Sequence, residues 1–103
     1  MRTSDIKDGP LRPVQNQQET ADQYIGVVAR LCDRHRIVVC KDAIQWILQA
    51  RRGERHGQPR WEGLHYCRTS EALSRLCHTV CGRIDPAAMA ILLALPAQIG
   101  GAA

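Results

Sequence analysis

The chain has 103 residues, enough for one domain with a single modest core. Apolar residues make up 45% of it, which excludes a wholly disordered protein, and the net charge of +4 argues against a DNA mimic, which should be acidic. Five cysteines, an odd number, and a polar start without a signal peptide predict free thiols in a reducing cytoplasm. The longest apolar run, 87–95, is about half of the roughly 18 residues that a spanning helix needs, so no membrane contact is expected.

The N-terminal part divides into a tail and a first structured segment. Residues 1–19 contain two prolines, a glycine and a glutamine-rich stretch, and this composition predicts a flexible tail. Thr20 and Gln23 have the spacing of a capping box, and apolar residues then recur at helical intervals. We therefore predict a helix over 21–33, although the Gly-Val-Val sequence at 26–28 also suits a strand.

The middle of the chain has the pattern of an antiparallel sheet. A β-branched run at 37–40 precedes a polar turn, and the apolar residues of 44–49 then alternate with a period of two, which predicts two strands. Two glycines, a proline and several arginines at 51–60 predict a loop. A third strand is predicted at 61–67.

Two helices are predicted after the strands. Thr69 has the position of an N-cap before an amphipathic segment, and Gly82 lies where that helix should end. Asp85 and Pro86 begin the last helix as N-cap and first helical residue, and Pro96 ends it.

These elements predict an α+β fold. The sheet is small and antiparallel, with three or four strands, and it is accompanied by two C-terminal helices and an N-terminal helix. A single domain is expected over 20–97, followed by a frayed tail at 98–103.

Part of this sequence resembles a known class of proteins. The resemblance lies in RIVVC at 36–40, IQWILQARR at 44–52, and Trp61 leading into YCRTSEAL at 66–73. These stretches are similar to those of short uncharacterised proteins from proteobacteria and their phages and plasmids, and the similarity covers 36 to about 76. The resemblance implies bacterial or phage origin. Small proteins of such mobile elements often block host machinery, including CRISPR effectors.

The arginine-rich loop is a candidate binding site for nucleic acid or an acidic partner. Arg51, Arg52, Arg55 and Arg60 could follow a phosphate backbone, and Trp61 could stack on a base. The alternative is a solvated loop whose arginines only keep the protein soluble.

A zinc site is also conceivable, although we expect no cofactor. Cys77 and Cys81 lie one helical turn apart, and His65 and Cys67 share one face of the third strand, which allows a tetrahedral ligand set. The alternative is that these cysteines pack in the core. No catalytic residue is expected, because the chain lacks the usual nucleophile and metalloprotease motifs.

The last helix lacks a polar face. Met89, Ile91, Leu92, Leu93 and Leu95 spread around it with only alanines between them, whereas a surface helix should carry polar residues on one side. A protein interface is therefore predicted here, with a homodimer as one form of it and with Met89, Ile91, Leu92 and Leu95 as the contacts.

From these features we expect a non-enzymatic interaction protein of bacterial or phage origin. It would act by occluding a protein surface, as an inhibitor of host defence of the anti-CRISPR kind. The alternatives are a small nucleic-acid-binding module that uses the arginine-rich loop and a zinc-stabilised regulatory protein.

Overall fold

The computed structural model describes residues 18–99, which form a four-stranded antiparallel sheet followed by two helices. The strands are β1 (Val27–Cys32), β2 (His35–Val39), β3 (Trp46–Arg55) and β4 (Gln58–Cys67), and they lie side by side in chain order. The helices are α1 (Ser70–Val80) and α2 (Pro86–Ala94). The predicted α+β fold is confirmed, with a fourth strand in the sheet. The outer parts of the two predicted tails, 1–17 and 100–103, lie outside the described residues.

The fourth strand is β1, which lies where a helix was predicted, so the helix prediction for 21–33 is wrong. β1 pairs with β2 across a turn of two residues, with Cys32 opposite His35. Two irregularities in the register of β1 break the alternation of its side chains. Val28 and Ala29 consequently contact the same core, as do Leu31 and Cys32, and this produces the helix-like spacing.

The prediction of a loop at 51–60 is also wrong, because β3 and β4 continue through it to a two-residue turn. His56 and Gly57 have φ values of 54° and 78°, as the type I′ turn of a tight hairpin requires. Gly53, with a φ of 58°, occupies a bulge in β3 between Arg51 and Glu54. β2 begins opposite Ala50, so residues 51–61 form a two-stranded extension, here called the ribbon.

Local capping interactions begin both helices, as predicted. Thr69 Oγ1 accepts a hydrogen bond from the Ala72 amide at 3.2 Å, and Asp85 Oδ1 accepts one from the Ala87 amide at 3.1 Å. Pro86 follows as the first residue of α2, where its missing amide hydrogen costs nothing. Among the described residues, neither helix is long enough to cross a membrane.

The chain after α2 returns to the start of α1. The Ser70 amide donates to the Ala97 carbonyl at 2.9 Å, and the Ile99 amide donates to the Arg68 carbonyl at 3.1 Å. Ile99 also packs against the core. The predicted fraying at 98–103 is therefore wrong for Gln98 and Ile99.

The two faces of the sheet are covered differently. α2 packs on β1, and α1 packs on β3 and β4, which together bury one face. The buried side chains of this helix-covered face include Leu31, Ile37, Trp46, Leu48, Leu73, Cys77 and Leu92. The opposite face is crossed by residues 18–26, here called the strap, which run from the edge of β4 to β1. The Trp61 amide donates to the Thr20 carbonyl at 3.0 Å at one end, and the Val39 amide donates to the Gly26 carbonyl at 2.8 Å at the other.

Candidate functional site

The ribbon holds the four arginines that were predicted to bind nucleic acid. Arg52 is exposed, and its Nε donates to Glu62 Oε1 across the ribbon at 3.0 Å. Both side chains of this ion pair are more than 60% exposed, so the pair is weak and can exchange partners. Arg51 and Arg60 are half-buried at the base of the ribbon. The side chain of Arg55 lies outside the part of the structure that can be described.

The base of the ribbon meets the turn between β1 and β2. The Arg51 amide donates to the Arg34 carbonyl at 2.8 Å, which holds the two together. A shallow depression at this junction is lined by Asp33, Arg34, Arg51, Gly53 and Glu54. Its two bases are balanced by two acids, so the depression favours polar contacts over the binding of a highly charged small anion.

Trp61 is not available to stack on a base, contrary to the prediction. Its side chain is 2% exposed, and its Nε1 donates to Asp22 Oδ1 of the strap at 3.0 Å. The guanidinium carbons of Arg36 and Arg30 lie 4.4 Å and 5.1 Å from the ring centroid. These cation–π contacts and the strap occupy the ring that a base would need.

Arg36 is the residue that organises this face, and sequence reasoning missed it. The side chain is 1% exposed, and its Nε donates to Gln49 Oε1 at 2.7 Å. Its remaining nitrogens donate to the strap carbonyls of Asp22, Ala21 and Glu19 at 2.9, 2.7 and 3.2 Å. Glu19 was predicted to belong to a flexible tail, and its carbonyl instead also accepts from Gln49 Nε2 at 2.8 Å.

Arg36 remains positively charged although it is buried. Burial lowers the pKa of Arg36 to about 10, against a smaller opposing effect of Asp22. The guanidinium is therefore protonated at neutral pH and keeps its donors for the strap. This arrangement is structural, since it fixes the strap to the sheet.

A second cluster of polar side chains joins β1, β2 and the end of α1. Cys32, His35 and Cys81 place their potential ligand atoms within 4.8 Å of one another. The Cys32 Sγ lies 3.3 Å from His35 Nδ1 and 3.9 Å from the Cys81 Sγ. These three residues are here called the thiol cluster. Because thiolate sulfur and imidazole nitrogen are preferred zinc ligands, the cluster has the donor set of a zinc site.

The thiol cluster differs from the zinc ligands predicted from sequence. Of that set, Cys81 alone belongs to it among the described residues, while Cys67 and Cys77 are buried in the core of the helix-covered face. His65 is half-buried on β4 and lies outside the cluster. The available sequence signal was the Cys-x-x-His spacing of Cys32 and His35.

Burial determines the electrostatics of the thiol cluster. Cys81 is 4% exposed, and burial raises the pKa of its thiol to about 12, with a further contribution from the hydrogen bond to Cys32. Burial also lowers the pKa of His35, and the nearby Arg52 and Arg34 lower it further. The Cys81 thiol is thus protonated and the imidazole neutral at neutral pH.

Cys67, the last residue of β4, lacks the properties of a nucleophile. It is 5% exposed, and burial raises the pKa of its thiol, an effect that Arg75 reduces without reversing. A reactive cysteine needs an accessible thiol with a lowered pKa. Cys67 therefore serves packing.

The residues of α2 that were predicted to form an interface lie partly in the core and partly on the surface. Leu92 is 4% exposed and belongs to the core, and Met89 and Leu95 are half-buried against it. Ile91 is 39% exposed and Leu93 is 78% exposed. The prediction that one side of the helix is available to a partner thus applies to Ile91 and to Leu93, which was not among the predicted contacts.

No family model, curated protein or solved structure matches the chain.

Proposed function

We propose that this chain is a non-enzymatic binding protein that contacts nucleic acid through the ribbon. The observation that supports the proposal is the extension of β3 and β4 beyond β2 as two paired strands bearing Arg51, Arg52, Arg55 and Arg60. A two-stranded ribbon fits the major groove of B-form DNA. Arginine suits this role because its planar guanidinium binds phosphates and base edges with two parallel hydrogen bonds.

The dimensions of the ribbon agree with this use. Five residues of β3, from Arg51 to Arg55, extend past the end of β2. At about 3.3 Å per residue they span roughly 16 Å, about twice the depth of the major groove. The tip can therefore reach base edges while Arg30 and Arg34, both exposed on the β1–β2 hairpin, remain near the phosphates.

The exposed ion pair between Arg52 and Glu62 does not oppose this binding. A pair of this exposure is worth about 0–1 kcal/mol, so Arg52 can exchange the carboxylate for a phosphate at little cost. Glu54 in the ribbon and Glu62 beside its base reduce the local positive charge, which favours moderate affinity over tight non-specific binding.

The experiment is a titration of fluorescent duplex DNA and RNA across a salt series. We expect the affinity to fall steeply with salt, and Arg52→Gln with Arg55→Gln should reduce the slope by about 0.9 per lost phosphate contact. The matched control is Arg68→Gln with Arg75→Gln, which removes the same charge from exposed positions near Cys67, at the end of β4 opposite the ribbon. Absence of binding at low salt, or an equal change of slope in the control, would contradict the proposal.

A second candidate function is protein binding through α2, which the 78% exposure of Leu93 favours. No charged residue occurs from 86 to 99, so two copies of this helix can approach without repulsion. Burying Leu93 against a second copy would contribute roughly 1.5–3 kcal/mol before the costs of association, and Ile91, which is already more than half buried, would contribute less. In the dimer that we propose, Leu93→Glu should yield a folded monomer, as measured by light scattering and circular dichroism. A monomeric wild-type protein would exclude the dimer.

The resemblance to small proteins of phages and plasmids suggests a biological role for a contact through either the ribbon or α2. In this proposal the chain inhibits a host defence complex, such as a CRISPR effector, by occluding its surface. Affinity purification from a bacterial host that carries such a complex tests this role. We expect Leu93→Glu or the ribbon variant to lose the captured complex, according to which surface binds it.

A further inference from the structure

The thiol cluster is assembled from three separate elements that hold it firmly. Cys32 ends β1 and His35 begins β2, and the two residues face each other across the turn. Cys81 caps the C-terminus of α1, where its amide donates to the Cys77 carbonyl at 2.9 Å. The Asp85 amide donates to the Leu31 carbonyl at 2.8 Å, which ties the chain after α1 to β1 beside the cluster. Hydrogen bonds between backbone groups therefore fix the segments that carry the three side chains.

Two of the three distances between the donor atoms are close to those around a tetrahedral zinc ion. Zinc binds thiolate sulfur at about 2.3 Å and imidazole nitrogen at about 2.0–2.1 Å. Tetrahedral angles then separate two sulfurs by about 3.8 Å and a sulfur from a nitrogen by about 3.6 Å. The corresponding distances here are 3.9 Å between Cys32 and Cys81 and 3.3 Å between Cys32 and His35. The third pair, Cys81 and His35, has its donor atoms within 4.8 Å.

We propose that Cys32, His35 and Cys81 bind one zinc ion through two thiolates and the imidazole Nδ1. The ligands Cys32 and His35 are half-buried, so solvent or an outside ligand can reach the fourth coordination position. Two thiolates balance the charge of Zn²⁺, which removes the cost of leaving a net charge in this partly buried place. The two thiols release their protons to solvent when the ion binds.

This zinc would connect the β1–β2 hairpin to the end of α1. A site with three protein ligands keeps one position for water or for a donor from another molecule, unlike the closed four-ligand sites that only stabilise a fold. The site lies close to the ribbon, because Arg52 and Arg34 are near enough to influence His35. It thus belongs to the same end of the molecule as the proposed nucleic-acid contact, although it does not depend on that contact.

The test uses the full chain, produced with zinc in the medium and purified under reducing conditions without chelator. We expect one zinc per chain by elemental analysis and, after replacement by Co²⁺, a thiolate-to-cobalt charge-transfer absorption. Cys32→Ser, His35→Gln and Cys81→Ser should each weaken metal binding by about tenfold or more. The controls Cys40→Ser and His65→Gln, which change a cysteine and a histidine outside the cluster, should bind as the wild type does.

Several results would overturn the proposal. One is wild-type protein that holds no zinc and develops no thiolate-to-cobalt absorption. Another is metal binding that survives all three cluster substitutions. A Cys32–Cys81 disulfide in protein kept under reducing conditions would also overturn it, since the thiols would then be unavailable. If Cys81→Ser fails to fold by circular dichroism, His35→Gln decides, because its half-buried position tolerates the change.

Discussion

The two faces of the sheet achieve burial by different means. The helix-covered face is filled with aliphatic side chains, Trp46 and thiols, and two helices contribute to it. The strap-covered face holds the buried side chains of Arg36 and Gln49 against Trp61, beside a small apolar group around Tyr24. One face thus depends on the area of apolar contact, and the other on a few directional hydrogen bonds.

This difference has consequences for how each face responds to change. Apolar burial is non-directional and is shared among many residues, so a lost side chain removes one portion of it. A buried polar network depends on each of its members, because every unmatched donor or acceptor carries a desolvation cost. The strap offers Arg36 three carbonyls, so three of its hydrogen bonds to the sheet depend on one side chain.

The largest effect is expected from Arg36→Met. The substitution removes the donor to the Gln49 oxygen and to the Asp22 carbonyl. The Glu19 and Ala21 carbonyls each lose one donor and keep another, Gln49 Nε2 and the Tyr24 amide respectively. Each unmatched buried group costs about 1–3 kcal/mol. Some carbonyls can turn to water as the strap loosens, so we expect a loss of about 4 kcal/mol in the free energy of unfolding. Urea denaturation measures the loss. The emission of Trp61, recorded in a Trp46→Phe background, should show the strap detaching first.

Arg30→Met provides the matched control for this prediction. Arg30 lies over the same ring as Arg36, at 5.1 Å rather than 4.4 Å, but it is exposed. Its removal should cost about 0.5–1 kcal/mol, the value of an exposed cation–π contact. Equal losses from the two substitutions would show that ring contact alone, rather than the hydrogen bonds of Arg36, holds the strap.

A smaller effect is expected on the helix-covered face from Leu92→Ala. Leu92 is 4% exposed, and its truncation should cost about 3 kcal/mol through lost transfer energy and the cavity left behind. The neighbouring Leu93 is 78% exposed, so Leu93→Ala should leave the stability of the monomer almost unchanged. Thermal unfolding of dilute protein measures both. A large loss from Leu93→Ala would indicate that a partner already covers α2.

The elements that sequence predicted well are those with local chemical signals. Thr69 and Asp85 begin their helices with side-chain hydrogen bonds that reach only two or three residues along the chain. The ribbon was mistaken for a loop because its glycines and proline usually break strands. Here Gly53 and Gly57 supply the positive φ values of a bulge and a turn, and Pro59 lies on β4, an edge strand that tolerates it.

The candidate sites depended on contacts between distant parts of the chain and were predicted less well. Arg36 looks like any other arginine until the strap, 14 to 17 residues away, is folded over it. In the thiol cluster, Cys81 lies 49 residues from Cys32, and its approach depends on how α1 packs on the sheet. The burial of Trp61 is likewise set by Asp22 of the strap. No local pattern encodes such contacts.

The smallest effect concerns alkaline pH, to which the two faces should respond in opposite directions. Burial raises the pKa of the Cys77 thiol from 9.0 to about 12, so the folded chain keeps a proton that the unfolded chain loses. The free energy of unfolding should therefore fall as the pH rises above 9. Burial lowers the pKa of Arg36 from 12.5 to about 10, so above pH 10 the folded chain releases a proton that the unfolded chain keeps. Arg36 should therefore raise the free energy of unfolding as the pH rises further, opposite to the effect of Cys77.

Between pH 9 and 10 the Cys77 thiol of the unfolded chain loses its proton, whereas the Arg36 guanidinium begins to lose its own only near pH 10. Over this interval Cys77 should lower the free energy of unfolding by about 1 kcal/mol. Urea denaturation of metal-free protein at the two pH values measures the loss. Cys77→Ser and Cys77→Ala should both reduce it by that amount, since neither side chain titrates, although they differ in polarity and in their own stability. If wild type and both variants lose the same free energy over this interval, the Cys77 thiol ionises as readily in the folded chain as in the unfolded one. The helix-covered face would then admit water or an ion where its packing indicates a dry core.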